Sequence, residues 1–227
     1  MDDKRPLSPT AIELGLIHIY TGYGKGKTTA SLGLAVRAIG QGFKACMIQF
    51  LKGGKYTGEY ITAHTNLDGL DLFQFGKECV KEDTQLKLDG FSARHKNSFP
   101  SDSHTAPNSQ TMIRGVGFCG ECRACFTINE AERQDTLKGF AFAKKTIASG
   151  EYDIVILDEI CGAINQGLID VKEVVALARS RHPKTELVFT GRDAPKELIE
   201  IADYVSKVEA IKHPYDRGIE ARRGIEY

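Results

Sequence analysis

The stretch GLIHIYTGYGKGKTTASLGLAVRAIG, residues 15–40, decides how the rest of the chain is read. It opens on Leu16-Ile17-His18-Ile19-Tyr20, an apolar run that predicts a buried strand. Gly22, Gly24 and Gly26 then turn the chain, and Thr28 to Val36 predicts a helix. A strand, a glycine-rich turn and Lys-Thr at a helix start form the layout of a phosphate-binding loop. The glycines let backbone N–H groups converge on a polyphosphate, and the helix N-terminus adds partial positive charge. In that layout Lys27 reaches phosphate oxygens and the Thr28 hydroxyl sits on a Mg2+ ion. The strict pattern G-x-x-x-x-G-K-[ST] puts its first glycine at residue 21, which here is threonine. The glycine comes one place later, at Gly22, so the loop is one residue tighter, and it carries an extra lysine, Lys25.

The chain has 227 residues and 41% hydrophobic content, enough for one α/β domain with a sizeable core. Lys+Arg and Asp+Glu balance at 30 each, so charge gives no argument for nucleic acid or an anionic membrane as partner. No apolar run approaches the roughly 20 residues of a membrane span. Residues 1–14 begin MDDKRPLSPT, polar and without the apolar core of a signal peptide, and are read as a flexible arm. The expectation is a cytoplasmic protein whose six cysteines are reduced, so that metal binding or free thiols outrank disulfides.

Beyond the first helix, Lys44 to Phe50 predicts a strand, Glu59 to Thr65 a short helix and Leu70 to Phe75 another strand. Lys52, Lys55 and Glu59 lie in or beside the loop after the second strand, where open α/β sheets place ligand contacts; solvated loop charges are the competing reading. Periodicity is lost over about 77–129, a stretch too long for an ordinary connection and read as an insertion. Helical period returns from Glu130 to Ser149. Tyr152 to Asp158 follows as a strand buried on both faces, with Asp158 and Glu159 at its carboxyl end. Asn165 to Arg181 predicts a helix, Thr185 to Thr190 a strand, Pro195 to Ala202 a helix and Asp203 to Val208 a last strand. Strands alternating with helices imply a mostly parallel sheet with helices on both faces. The expected organisation is a single P-loop α/β domain over 15–227, carrying the cysteine-containing insertion.

An aliphatic strand ending in Asp158-Glu159 supplies the second half of a Mg-nucleotide site. Mg2+ prefers oxygen ligands and keeps several waters, so Asp158, Thr28 and phosphate oxygens suffice. Glu159 either orients a water or substrate, or pairs with Lys25 or Arg192. Arg192, after the strand ending at Thr190, can place a forked guanidinium on phosphate, or else bridge to Asp158, Glu159 or Asp193. Arg37 lies ten residues after Lys27 and on geometry alone reads as a surface or inter-element ion pair. Cys119, Cys122 and Cys125 are spaced C-x-x-C-x-x-C, which can wrap a zinc ion or an iron–sulfur cluster. Cys79, His95 or His104 is the candidate fourth ligand, and free thiols remain the alternative. Cys46 and Cys161 read as small core residues.

Three segments together resemble the P-loop corrinoid adenosyltransferases, which act on cob(I)alamin or cob(I)yrinic acid a,c-diamide. They are TGYGKGKTTASLGLAVRAIGQGFKACMIQFLKG, VILDEI, and FTGRDAPKELIEIADYVSKVEAIKHPYDRGIEARRGIEY. The likeness covers residues 15–75 and 130–227, and the short phosphate loop is the family's own form. It implies a P-loop NTPase-like, RecA-like fold. The implied reaction transfers the 5′-deoxyadenosyl group of ATP to cobalt: reduced Co(I) attacks the ribose C5′ and triphosphate leaves whole. ATP would lie reversed in the loop relative to ordinary NTPases. By position, Gly22, Tyr23, Gly24, Lys25, Gly26, Lys27 and Thr28 would hold the triphosphate, and Thr28 and Asp158 the Mg2+. Arg37 matches a family arginine near the nucleotide, and Thr29, Glu159 and Arg192 are the further candidates for nucleotide binding.

Relatives place aromatic residues, a tryptophan among them, near the corrinoid's lower face, whereas this chain has no tryptophan. Phe75, Phe91, Phe99, Phe118 and Phe126 are possible stand-ins. The cysteine-bearing insertion falls in the corresponding region, either as a cluster that passes an electron to cobalt or as a metal-stapled flap. The resemblance also implies an electron donor such as a flavoprotein, and a homodimer. A P-loop ATPase or a nucleotide-dependent switch is the competing reading of the same loop.

Overall fold

A computed structural model describes residues 15–53, 57–76, 128–222 and 224–226. Its elements in chain order are β1 (Ile17–Thr21), α1 (Lys27–Ile39), β2 (Ala45–Phe50), α2 (Gly58–Thr65), β3 (Leu70–Phe75), α3 (Glu130–Ser149), β4 (Ile154–Asp158), α4 (Ile160–Asn165), α5 (Val171–Arg179), β5 (Glu186–Thr190), α6 (Lys196–Ile199) and β6 (Tyr204–Lys207). A 3-10 turn, Pro214–Arg217, follows in the tail. The strands form one six-stranded sheet in the order β3-β2-β4-β5-β1-β6. Every pairing among them is parallel.

The reason is visible in β2 and β4, whose residues are buried throughout. Alternate side chains of each strand enter different cores, as the two-residue period of a strand requires. Cys46, Ile48 and Phe50 of β2 join Val155 and Leu157 of β4 in a cluster with Phe140, Ala143 and Ile147 of α3 and Val174, Leu177 and Ala178 of α5. Ala45, Met47, Ile154 and Ile156 point the other way, into a cluster with Ala35 and Ala38 of α1. The expected α/β sheet with helices on both faces is therefore present, and all of its pairings among the described residues are parallel.

The second half of the chain departs from the expected boundaries. The helix expected over 165–181 is confined to Val171–Arg179, α5, and a separate short helix, α4, precedes it and ends at Asn165. Asp170 resets the chain between them, its carboxylate accepting from the Lys172 N–H at 2.8 Å as the cap of α5. Ile160–Asn165 escaped the periodicity reading because six residues are too few to show a helical period. The helix expected to run to Ala202 spans four residues. β6 is exposed on both faces, as an edge strand can be. At the amino end of the sheet, Glu186 ties the start of β1 down. It accepts from the Gly15 and Leu16 N–H groups at 2.7 and 2.9 Å, and His18 Nε2 lies 2.6 Å from its other oxygen.

Candidate functional site

The strand register builds the site. Gln74 of β3 lies opposite Gln49 of β2, and Gln49 opposite Asp158 of β4. Leu157 and Phe189 pair one residue earlier, which brings Thr190 of β5 to the level of Asp158. Polar side chains of four neighbouring strands thus share one level at the carboxyl ends, where open α/β sheets take ligands. Met47, Ile156 and Val188 lie two residues before Gln49, Asp158 and Thr190 and belong to the α1-side cluster. By the strand period, the polar row faces the helix that begins at Lys27.

Asp158 is fully buried. A lone carboxylate there would be costly, so it is compensated by four donors. Oδ1 accepts from the Thr190 hydroxyl at 2.6 Å and the Thr28 hydroxyl at 2.9 Å. Oδ2 accepts from the Lys52 ammonium at 2.8 Å and Gln49 Nε2 at 3.0 Å. Burial works against its charge, but Lys52 and the two hydroxyls outweigh it and hold the carboxyl below its ordinary range. Lys52 shows the converse: burial disfavours its charge, and Asp158 more than restores it, so its pKa is raised. Thr190 also accepts from the Glu159 N–H at 2.9 Å, fixing the turn by which the chain leaves β4. Glu159 has its pKa raised by burial and by the neighbouring Asp158 charge.

The glycine-rich loop is packed against the chain that follows β6. Gly22 has φ of 101°, and a Cβ on it would lie 2.4 Å from the Val208 carbonyl oxygen. Gly24 donates its N–H to that oxygen at 2.8 Å. A Cβ on Gly24 would come within 2.8 Å of the Glu209 carbonyl carbon. No side chain larger than hydrogen fits at these two positions. Lys25 reaches the tail, donating to the Ile225 carbonyl at 2.9 Å, with Glu226 at 3.8 Å. Lys27 is buried and donates to the Gly24 carbonyl at 3.0 Å. Burial lowers its pKa, with Arg192 and Lys52 adding to the effect and Glu159 and Asp158 opposing it. Tyr23 is exposed, its hydroxyl donates to Asp193, and the Arg192 guanidinium carbon lies 5.6 Å from its ring centre.

The structure thus gathers the loop Gly22–Gly26, Lys27, Thr28, Asp158, Glu159 and Arg192 at one end of the sheet. Thr29 is exposed in the first turn of α1. Arg37 is exposed in the last turn of α1, about 15 Å along the helix axis from Lys27. Phe75 is half-buried, its ring 5.6 Å from that of Phe142. Cys79, Cys119, Cys122 and Cys125 lie outside the described residues, as do Lys55, His95, His104, Phe91, Phe99, Phe118 and Phe126. Cys46 and Cys161 are buried free thiols, as expected. Thr190, Gln49 and Gln74 were not singled out from sequence. Gln49 carried a usable signal, being the lone amide in the apolar run Ala45 to Phe50.

Among the described residues, no group of three or more His, Cys, Asp or Glu side chains could hold a metal by itself. The oxygen donors at Asp158 and Thr28 nevertheless suit a hard cation that completes its shell with water and phosphate. Two further features are specific together: a shortened Gly22–Thr28 loop and a tail packed onto it. The sequence model of the ATP:corrinoid adenosyltransferase family BtuR/CobO/CobP matches residues 13–113 and 108–227. The chain belongs to this family. A corrinoid adenosyltransferase of Sinorhizobium sp is 34% identical over 217 residues, covering 95% of this chain and 81% of that protein. The Escherichia coli K12 corrinoid adenosyltransferase is 31% identical over 215 residues, covering 95% of this chain and 87% of its own. A third relative, corrinoid adenosyltransferase CobA of Salmonella typhimurium LT2, is 29% identical over 215 residues with the same coverage. The family match extends through 77–113 and 108–129, which the sequence reading set apart as an insertion.

Proposed function

We propose that this protein transfers the 5′-deoxyadenosyl group of ATP to the Co(I) centre of a corrinoid and releases inorganic triphosphate, in cobalamin biosynthesis or salvage. Family membership over nearly the whole chain is the observation that carries this reading. Backbone N–H groups of the Gly22–Thr28 loop, apart from that of Gly24, which is taken by the Val208 carbonyl, bind the triphosphate together with the Lys27 ammonium. Lys25 and Arg192 lie at the rim of the same loop, and Tyr23, Thr29 and Arg37 complete the nucleotide-binding set carried over from the family. Thr28 and Asp158 hold Mg2+, and the fit is supported by two oxygen donors 2.9 Å apart around a buried carboxylate. Bound there, the cation adds positive charge beside the leaving triphosphate. Glu159, next to Asp158 and Lys27, orients substrate or water.

The chemistry rewards such an arrangement. As the C5′–O bond breaks, charge grows on the leaving oxygen. Donors fixed in advance stabilise that charge without reorganising, and losing one costs about 3–4 kcal/mol.

The remaining parts of this reading concern architecture and partners. The fold is P-loop NTPase-like of the RecA type, supported by β5 lying between the loop strand β1 and the Asp158 strand β4. One domain spans 15–227, with an arm at 1–14 and an insertion at about 77–129. Cys79, Cys119, Cys122 and Cys125 bind an iron–sulfur cluster or zinc. An electron donor such as a flavoprotein reduces the cobalt, and the protein acts in the cytoplasm as a homodimer. Supporting the homodimer are the exposed apolar side chains on and after the edge strand β6: Tyr204, Val205, Ile211 and Tyr215. No helix among the described residues is long and apolar enough to cross a membrane.

The test is to incubate the protein with ATP, Mg2+ and chemically reduced corrinoid and to identify both products. Triphosphate together with a light-sensitive Co–C product is expected, and Lys27→Ala should lose transfer while keeping its fold. ADP and phosphate released without corrinoid would instead establish a hydrolase or nucleotide switch.

A further inference from the structure

Lys52 already stands where the proposed cation is to bind. Its ammonium is 2.8 Å from Asp158 Oδ2 and 3.4 Å from the Thr28 hydroxyl oxygen. Glu59 Oε1 lies 3.8 Å away on another side. The two residues assigned to the metal thus share a single positive charge supplied by the chain.

The placement is built into the backbone. Lys52 comes two residues after β2, and the residue between, Leu51, takes φ of 58°. That left-handed conformation is uncommon outside glycine, and it turns the chain sharply at the strand end. Leu51 is held there by its N–H, which donates to the Phe75 carbonyl at 3.0 Å. Gly76 then passes so close that a Cβ on it would lie 2.5 Å from the Lys52 backbone nitrogen. The Lys52 side chain is only 27% exposed, whereas lysines that serve solubility keep their heads in water. A counter-charge for Asp158 alone has no need to reach Thr28 as well.

We infer that Lys52 is a positioning residue that exchanges places with the divalent cation: its ammonium holds Asp158 and Thr28 until metal and triphosphate arrive together, then moves onto phosphate oxygens. This inference rests on the proposed cation site at Thr28 and Asp158. Two positive charges on one carboxylate in a buried pocket repel strongly, so lysine and metal exclude one another. A lysine can make the exchange because its charge rides on a flexible four-carbon stem and the backbone need not move. The consequence is coupling. A free cation must displace the ammonium from Asp158 and Thr28 and leave it only the more distant Glu59. A cation arriving with a triphosphate brings the new partner for the ammonium. The site therefore disfavours bare metal and accepts the metal–nucleotide pair.

Mn2+ binding to the full-length protein, followed by electron paramagnetic resonance without nucleotide, reads this directly. Lys52→Met should bind Mn2+ about tenfold or more tightly than wild type. In the presence of metal, Lys52→Met should bind ATP more weakly by a comparable factor. Lys52→Arg, which keeps the charge, should match wild type in Mn2+ binding. Lys52→Gln is a second neutral variant that retains a donor to Asp158 for folding. A lysine with only a structural role would weaken both binding events when removed, so opposite signs are the signature. Mn2+ affinity in Lys52→Met and Lys52→Gln equal to or below wild type overturns the exchange. Adding Asp158→Asn to Lys52→Met separates the two levels. Loss of Mn2+ binding in the double variant locates the ion at Asp158 and leaves any failure with Lys52. Full retention shows that the cation lies elsewhere, and overturns both the site and the exchange.

Discussion

Replacing Thr190 by valine tests whether the Asp158 cluster is organised as its hydrogen bonds indicate. Valine matches threonine in shape, so the substitution leaves no cavity in the core around the fully buried Thr190. What it removes is one hydroxyl with two roles. That hydroxyl donates to Asp158 Oδ1 at 2.6 Å and accepts from the Glu159 N–H at 2.9 Å. A hydrogen bond to a charged group contributes about 1.5–3 kcal/mol, and a buried N–H left unpaired costs about 1–3 kcal/mol. Thr28, Gln49 and Lys52 still serve Asp158 in the variant. The expected loss is therefore in the lower half of the sum, about 2.5–4 kcal/mol. Equilibrium urea unfolding measures it. Thr190→Ser keeps both bonds and gives up one methyl, a loss of about 1 kcal/mol. Adenosyl transfer should fall at least about tenfold in Thr190→Val, because Asp158 loses the contact that fixes one oxygen. A valine variant within about 0.5 kcal/mol of wild type and fully active would refute the reasoning, since surface-like neutrality is incompatible with a buried carboxylate losing a donor.

Two further outcomes follow from the same geometry. Gly24→Ala pushes a methyl into the backbone of Val208 and Glu209, its Cβ falling 2.8–2.9 Å from atoms of both. Backbone cannot yield as a side-chain tip would, so ATP binding by calorimetry should weaken about tenfold or more and stability fall by about 1–3 kcal/mol. Gly33→Ala, inside α1 with open space around it, is the control, and should be neutral or stabilising by up to about 1 kcal/mol. Glu159→Gln should alter the pH dependence of stability. Burial and the Asp158 charge raise the Glu159 pKa above its ordinary 4.5 in the folded protein. At pH below 4.5 the group is protonated in both states and contributes nothing. As pH rises from 4.5 toward the raised folded value the unfolded chain gives up its proton first, and stability drops. The glutamine variant escapes that drop, so its advantage in unfolding free energy should grow as pH rises above 4.5 and level off once the folded group has also ionised. A difference independent of pH would show that Glu159 titrates as in water.

The parts of this protein that were legible in the sequence are those encoded locally. An uninterrupted aliphatic run such as Ile154 to Leu157 has few alternatives to a buried strand, and the structure places β4 there. Gly22 to Gly26 announces a turn into a helix because the glycines and the helix start are adjacent in the chain, and the structure places that turn between β1 and α1. The polar row was not legible, because it depends on register between strands far apart in sequence. Gln49, Gln74, Asp158 and Thr190 span 142 residues of numbering, and only the order β3-β2-β4-β5 brings them level. For Lys52 the sequence left two readings open, a residue facing the site or a solvated loop charge, and the structure places it on Asp158. Nothing local could choose between them, because the choice depends on the turn at Leu51 and on the close approach of Gly76. The short helix Ile160–Asn165 was lost for a different reason, since less than two turns leave no period to detect.

The departure of the loop from the strict pattern has a structural cause that links these scales. At residue 21, where a longer loop has its first glycine, β1 is still in the sheet. The Thr21 hydroxyl accepts from the Ala194 N–H at 3.0 Å, and its carbonyl accepts from the Val208 N–H at 2.8 Å. Thr21 is thereby committed to the connection after β5 on one side and to the chain after β6 on the other. The turn cannot begin before Gly22. Once begun, it cannot bulge outward, because the Val208 carbonyl lies where a Gly22 side chain would be and receives the Gly24 N–H. A loop held at both ends and along its outer edge has a fixed length. The segment that follows β6 is therefore part of the specification of the loop, and Lys25 extends the same dependence to Ile225 near the end of the chain. The pairing of a short loop with a particular tail, which looked like two separate signatures in the sequence, is one packing arrangement. A change in either should alter the other's geometry even where neither touches a shared ligand.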